Sequence, residues 1–370
     1  MILVLLFISA CFLAFSNGAN DNFKGVATLF GSGTTNYKKA INWATITTFS
    51  GSVAAIFLAN QLVKNFSGKG LVPDELIAMP IFAISIACGA ALTVFIATKV
   101  GMPISTTHSL VGALFGAGVM AVGLQFNFDK LGNTFLMPLI VSPLMAAVLS
   151  LILYLAFRFL RKRSGVKKSS CICINQKQAD PQIKTASVTL EMSSLLEITT
   201  CKNKCIETYN GKLLGISAQR LLDSLHYLSA GVVSFARGLN DTPKIVGLLL
   251  IINVVDIKWS MIIIAVIMAV GGLLNAKKVG VTISKKITPM NSGQGFTANL
   301  VTGLLVTTAS VHGLPVSTTH VSVGSIFGIG TATNKADYKM IGKILVSWVL
   351  TLPIAAIISG LLFKLLETIL

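Results

Sequence analysis

Two short polar motifs, each present twice, carry the chemistry of this 370-residue chain. The run Pro103-Ile-Ser-Thr-Thr-His108 returns as Pro315-Val-Ser-Thr-Thr-His320. Proline is common at a helix start, and serine or threonine caps the free N–H groups there. The small and apolar residues that follow predict one helix beginning near Ser105 and another near Ser317. A helix N-terminus offers unpaired N–H donors and the positive end of the dipole, which makes an anion site without a charged side chain. Ser105, Thr106 and Thr107, with Ser317, Thr318 and Thr319, add hydroxyl donors. Two such ends facing each other would surround a tetrahedral oxyanion. The plainer reading makes them ordinary caps on two re-entrant hairpins. Their duplication beside a second polar motif favours a site.

That second motif is Asn20-Asp21, repeated as Asn240-Asp241, each at the end of an apolar segment containing Gly18 or Gly238. Glycine followed by Asn-Asp suggests a broken helix, whose freed carbonyls and carboxylates bind a hard cation such as Na⁺. An aspartate inside the hydrocarbon costs about 2.5–3.5 kcal/mol on insertion scales, so function is the default hypothesis. The alternative is pairing within its own helix, since Lys24 and Lys244 each follow the aspartate by three residues. Both roles can hold together. A carboxylate beside an anion also discriminates: hydrogen phosphate can donate its proton to it, whereas sulfate at neutral pH cannot. The copies differ at Asn17, which aligns with Arg237. Arg237 can contact an anion, snorkel to an interface or pair with Asp241. His108 and His320 are packing residues or a proton relay.

The elements that hold these residues are membrane helices. Hydrophobic residues are 53% of the chain, charged residues 12%, and the mean hydropathy is +0.78; a soluble domain carries about 25% charge. Apolar runs cover Ile41–Val63, Leu76–Thr98, Thr134–Phe157 and Ile341–Phe363, with shorter ones over Met261–Asn275 and Asn299–Ala309. About 20 residues of helix cross a bilayer core, and the runs lack the alternation of a barrel strand. Met1–Ser16 reads as the first half of a membrane helix rather than a signal peptide, because it has no basic start. Much of the net charge of +17 lies in the polar stretch Arg158–Arg220. Arg158, Arg161, Lys162, Arg163, Lys167 and Lys168 directly follow a spanning helix, which by the positive-inside rule places this stretch in the cytoplasm and argues against nucleic acid. Cys171, Cys173, Cys201 and Cys205 lie in it at spacings that match common zinc sites poorly.

Both motifs recur in the same order, and each hairpin motif runs into a small-residue helix, Val111–Gly116 and Val323–Gly328. The chain therefore divides into a first membrane repeat (1–160), a polar linker (161–217, with a helix expected over Ser187–Lys202) and a second repeat (218–370). An odd number of crossings per half would invert the second copy relative to the first.

Gly18-Ala-Asn-Asp21 and Pro103–His108, with their second copies, resemble the signatures of the inorganic phosphate transporter (PiT) family. The resemblance spans both hydrophobic halves. It implies an all-α polytopic membrane protein of two inverted-topology repeats with broken helices and re-entrant hairpins, assembled as a homodimer in the cell (inner) membrane. It implies a symporter that moves inorganic phosphate inward with Na⁺, or H⁺ in some members, with no other cofactor. By position, Ser105, Thr106, Thr107, Ser317, Thr318 and Thr319 would bind phosphate. Asp21 and Asp241, with Asn20 and Asn240, would bind Na⁺ or border the anion. A sulfate permease of the same fold, an anion channel and an intramembrane hydrolase using Asp21 and Asp241 are the competing readings. No nucleophile–base pairing in the sequence suggests an enzyme.

Overall fold

The computed structural model describes residues 1–169, 173–174, 198–199, 208–213, 215–250 and 256–369. Twelve helices position the polar motifs. In the first repeat they are α1 (Ile2–Asp21), α2 (Ala27–Gly31), α3 (Tyr37–Leu58), α4 (Pro80–Val100), α5 (Thr106–Val122) and α6 (Met137–Arg163). In the second they are α7 (Ala218–Val246), α8 (Ile257–Asn275), α9 (Lys277–Lys286), α10 (Ser292–Val311), α11 (Thr318–Thr333) and α12 (Tyr338–Ile369). Cys171, Cys201 and Cys205 lie outside the described residues. Of the helix expected over Ser187–Lys202, only Ile198–Thr199 is described. It is a strand whose backbone pairs with Cys173–Ile174 instead.

Local chemistry sets the hairpins. Gly101 closes α4 at φ +78°, and Gly313 follows α10 at φ +71°, backbone conformations that favour glycine. Ser105 and Ser317 then open α5 and α11, each side chain accepting from the N–H three residues on (His108, 3.1 Å; His320, 3.2 Å). Asn291 and Gln294 form a capping box at the start of α10.

Helix directions follow from which residues touch. Helices α1 and α4 run parallel, since Ser9 meets Cys88 and Asn20 meets Thr98. Their counterparts α7 and α10 do the same through Ser229–Asn299 and Asn240–Ser310. The equivalent helices α1 and α7 run antiparallel: Asn17 meets Asp241, Asn22 meets Arg237, and Thr28, just beyond α1, meets His226. The pseudo-two-fold axis therefore lies across the helices, and the second repeat is inverted. Among the described residues, seven segments are long and apolar enough to cross a membrane, α4 and α5 included. Yet the α4–α5 and α10–α11 hairpins enter from opposite sides and touch tip to tip. Thr107 Oγ1 reaches the carbonyl of Val316 (3.3 Å) and Thr319 Oγ1 that of Ile104 (3.0 Å). They are re-entrant arms.

The repeats also exchange helices. Helix α1 packs against α8 and α7 against α3, while α5 packs against α12 and α11 against α6. The first two contacts are backbone-close. A Cβ on Gly18 would lie 2.0 Å from the Met268 carbonyl oxygen, and one on Gly238 would lie 2.0 Å from that of Thr48. Two packing bodies result: α1, α4 and α5 with α8 and α12, and α7, α10 and α11 with α3 and α6. Helix α6 shows an apolar stripe outward through Met137, Ile140, Leu144, Val148 and Ile152, as a lipid-facing helix does.

Candidate functional site

Where α1, α7 and the two hairpin tips meet, five charged side chains are buried: Asp21, Lys24, Arg237, Asp241 and Lys244 are each at most 4% exposed. Burying ions is costly unless each finds partners, and here each does. Lys24 binds Asp21, the Ile104 carbonyl and Thr319 Oγ1 of the opposite repeat. Lys244 is its counterpart, bonding the Val316 carbonyl (2.8 Å) and Thr107 Oγ1 of the other repeat (2.7 Å), with Asp241 at 3.5 Å. Each lysine thus ties the tip of its own repeat to a threonine on the other.

The remaining partners match across the repeats only in part. Asn20 donates to Thr98 Oγ1 (2.9 Å) and the Met102 carbonyl (3.1 Å). Asn240 donates to Thr318 Oγ1 (3.2 Å) and the Val316 carbonyl (3.1 Å), and its Oδ1 accepts from Ser310 (3.2 Å). Thr106 Oγ1 donates to Asp21 (3.0 Å). Asn17 sits on the axis and donates to both Asp21 and Asp241 (3.2 Å each). Arg237 is fully buried: it donates to Asn17 Oδ1 (2.5 Å) and Asn22 Oδ1 (3.0 Å), with its Nε 3.5 Å from Asp241. It does not snorkel. Three cationic and two anionic side chains leave the cluster with one formal positive charge in excess.

Of the residues singled out by sequence, Asn20, Asp21, Asn240, Asp241, Thr106, Thr107, Thr318 and Thr319 all converge on this cluster. Ser105 and Ser317 are buried beside it, but their hydroxyls cap α5 and α11. The lysines were legible only as neighbours of the aspartates. Their cross-repeat bonds have no local sequence signal. The break at Asn-Asp takes two forms. Helix α1 stops at Asp21 and passes into a 3₁₀ turn, Lys24–Val26, whereas α7 runs on to Val246 with Pro243 inside it. Proline has no N–H, so the Leu239 carbonyl loses its helical donor there. Behind the tips, His108 and His320 meet edge to face at 4.3 Å, and His320 stacks on Trp348 at 3.7 Å.

The arrangement offers paired helix N-termini and two ammonium groups to an oxyanion, and buried oxygens to a cation. The Oδ1 of Asn20 is buried with no donor among the described residues. A hard cation is a fitting ligand for such an oxygen.

Residues 17–359 match the phosphate transporter family, PHO4. The chain belongs to that family. Membership makes it a multi-pass membrane transporter and not an enzyme, and the resemblance read from its motifs holds. Similar proteins include one from Rhizobium meliloti described as a "probable low-affinity inorganic phosphate transporter", 27% identical over 98% of this chain and 96% of its own length. A Pyrococcus abyssi protein assigned as a phosphate permease is 28% identical over 98% of both chains, and one from Haemophilus influenzae with the same assignment is 29% identical over 97% and 95%. A solved structure described as "the sodium-dependent phosphate transporter" aligns over the whole of both chains with a TM-score of 0.77 at 24% identity, which is a likeness of fold.

Proposed function

We propose that this member imports inorganic phosphate across the cell membrane by symport with Na⁺, with the linker on the cytoplasmic side. The observation that carries the reading is the meeting of two inverted hairpin tips on the Asp21–Lys24 and Asp241–Lys244 pairs. Each lysine is engaged by its aspartate and by the opposite tip. Cations taken up by the Asp21 and Asp241 carboxylates, with Asn20 and Asn240, release the ammonium groups. Phosphate then settles between the N–H groups of α5 and α11, with Thr106, Thr107, Thr318 and Thr319 as donors and the lysines as counter-charges. Loading in this order removes the cross-repeat ties, and the two bodies become free to rock around the site. A protonated oxygen of hydrogen phosphate can donate to a carboxylate, which gives preference over sulfate. The fold likeness to a sodium-dependent transporter supports Na⁺ as the coupling ion.

The test is labelled phosphate uptake into proteoliposomes with Na⁺ and pH gradients imposed separately. Accumulation that follows the Na⁺ gradient and is not matched by labelled sulfate is expected. Accumulation indifferent to Na⁺ overturns the symport. Equal uptake of sulfate overturns the preference.

A further inference from the structure

Symmetry allows the two sides of the site to be compared residue by residue, and they differ. On the linker side, Thr28 bridges His226 and Asn299 into a hydrogen-bonded trio: His226 Nε2 to Thr28 Oγ1 is 3.0 Å, and Thr28 Oγ1 donates to Asn299 Oδ1 at 3.0 Å. Polar contacts continue outward from His226 Nδ1 to Thr34 (3.4 Å), from Thr34 to Ser292 (3.1 Å), and from Ser292 to half-buried Asp223 (2.6 Å). On the opposite side, the positions equivalent to Thr28, His226 and Asn299 are Leu248, Leu6 and Ala87. All three are buried in one hydrophobic cluster. The fold is the same on both sides and the chemistry is opposite.

We infer that the Thr28–His226–Asn299 trio is the gate through which cargo passes between the site and the linker face, and that Leu6–Ala87–Leu248 seals the other face in this conformation. An ion leaving the site must exchange each protein contact for water or another polar group. A file of hydroxyl, imidazole and amide groups supplies those contacts along a route between α2, α7 and α10. The leucine cluster supplies none, and an apolar constriction excludes water. His226, Thr28 and Asn299 therefore act on the passage of the ion and not on its binding at the tips.

The inference rests on the transport reading, but its test does not need transport. With the native cysteines replaced by serine, the equivalent residues Ser229 and Ser9, both buried, serve as reporters in Ser229→Cys and Ser9→Cys proteins. A charged, membrane-impermeant thiosulfonate is applied to proteoliposomes from one face at a time. Ser229→Cys should react from the linker face at least tenfold faster than Ser9→Cys reacts from the other. Replacing the trio by its counterpart, Thr28→Leu/His226→Leu/Asn299→Ala, should abolish that difference, and His226→Leu alone should reduce it. Equal rates at the two reporters, or a difference that the substitutions leave intact, overturn the gate whether or not phosphate uptake depends on Na⁺.

Discussion

Lys24 and Lys244 each join the two repeats at the hairpin tips. Each ammonium satisfies an aspartate of its own repeat, a carbonyl of its own hairpin tip and a hydroxyl of the other. Removing one partner of a buried pair leaves a charge without compensation, at a cost of about 3–5 kcal/mol. Lys24→Met should therefore lower the melting temperature of the purified protein, and Asp21→Asn/Lys24→Met should recover part of the loss. Neither should accumulate phosphate. Full transport by the double variant would show that the pair is a structural tie alone. Arg237 makes a sharper case, because its planar fork reaches Asn17 and Asn22 with separate nitrogens. Arg237→Lys keeps the charge and loses that geometry, and uptake should fall at least tenfold at saturating Na⁺.

The aspartates, asparagines and threonines were legible because their types are improbable in a bilayer and because they come twice. The lysines' second role was not, since it depends on residues 295 and 137 positions away. Helix α7 has no long apolar run. Its buried face carries His226, Arg237, Asn240, Asp241 and Lys244, and it meets protein rather than lipid along much of its length. A helix surrounded by other helices need not be apolar to lie in a membrane. The helix-exchange contacts did leave a trace, in glycines. Gly18 and Gly51 are as far apart as Gly238 and Gly271, and all four sit where a Cβ would strike a carbonyl oxygen of the partner helix. Small residues at such crossings let backbones approach closely. Gly238→Ala puts a methyl group against the Thr48 carbonyl, so α7 and α3 must separate. The variant should be recovered in much lower yield and with a lower melting temperature. The control Gly342→Ala, where nothing lies within 4 Å, should behave as wild type in the same assay.

At the scale of the whole molecule, the repeats visible in the sequence and the bodies visible in space are different divisions of the chain. Each body takes three helices from one repeat and two from the other. Duplication was readable from the motifs. The exchange was not, because it is a matter of which helices pair across more than 200 residues. If the chain is cut in the linker, residues 1–169 and 208–370 expressed together should co-purify as one particle, and each alone should be lost from the membrane fraction. Stable accumulation of either half alone would contradict the exchanged packing. The same feature bears on biogenesis. While the ribosome is still synthesising the linker, α1 has no α8 to lie against and α5 has no α12. The buried charges Asp21 and Lys24 then have no second repeat to close over them. The first half of this protein must wait in the membrane, with its polar centre unshielded, until the second half arrives.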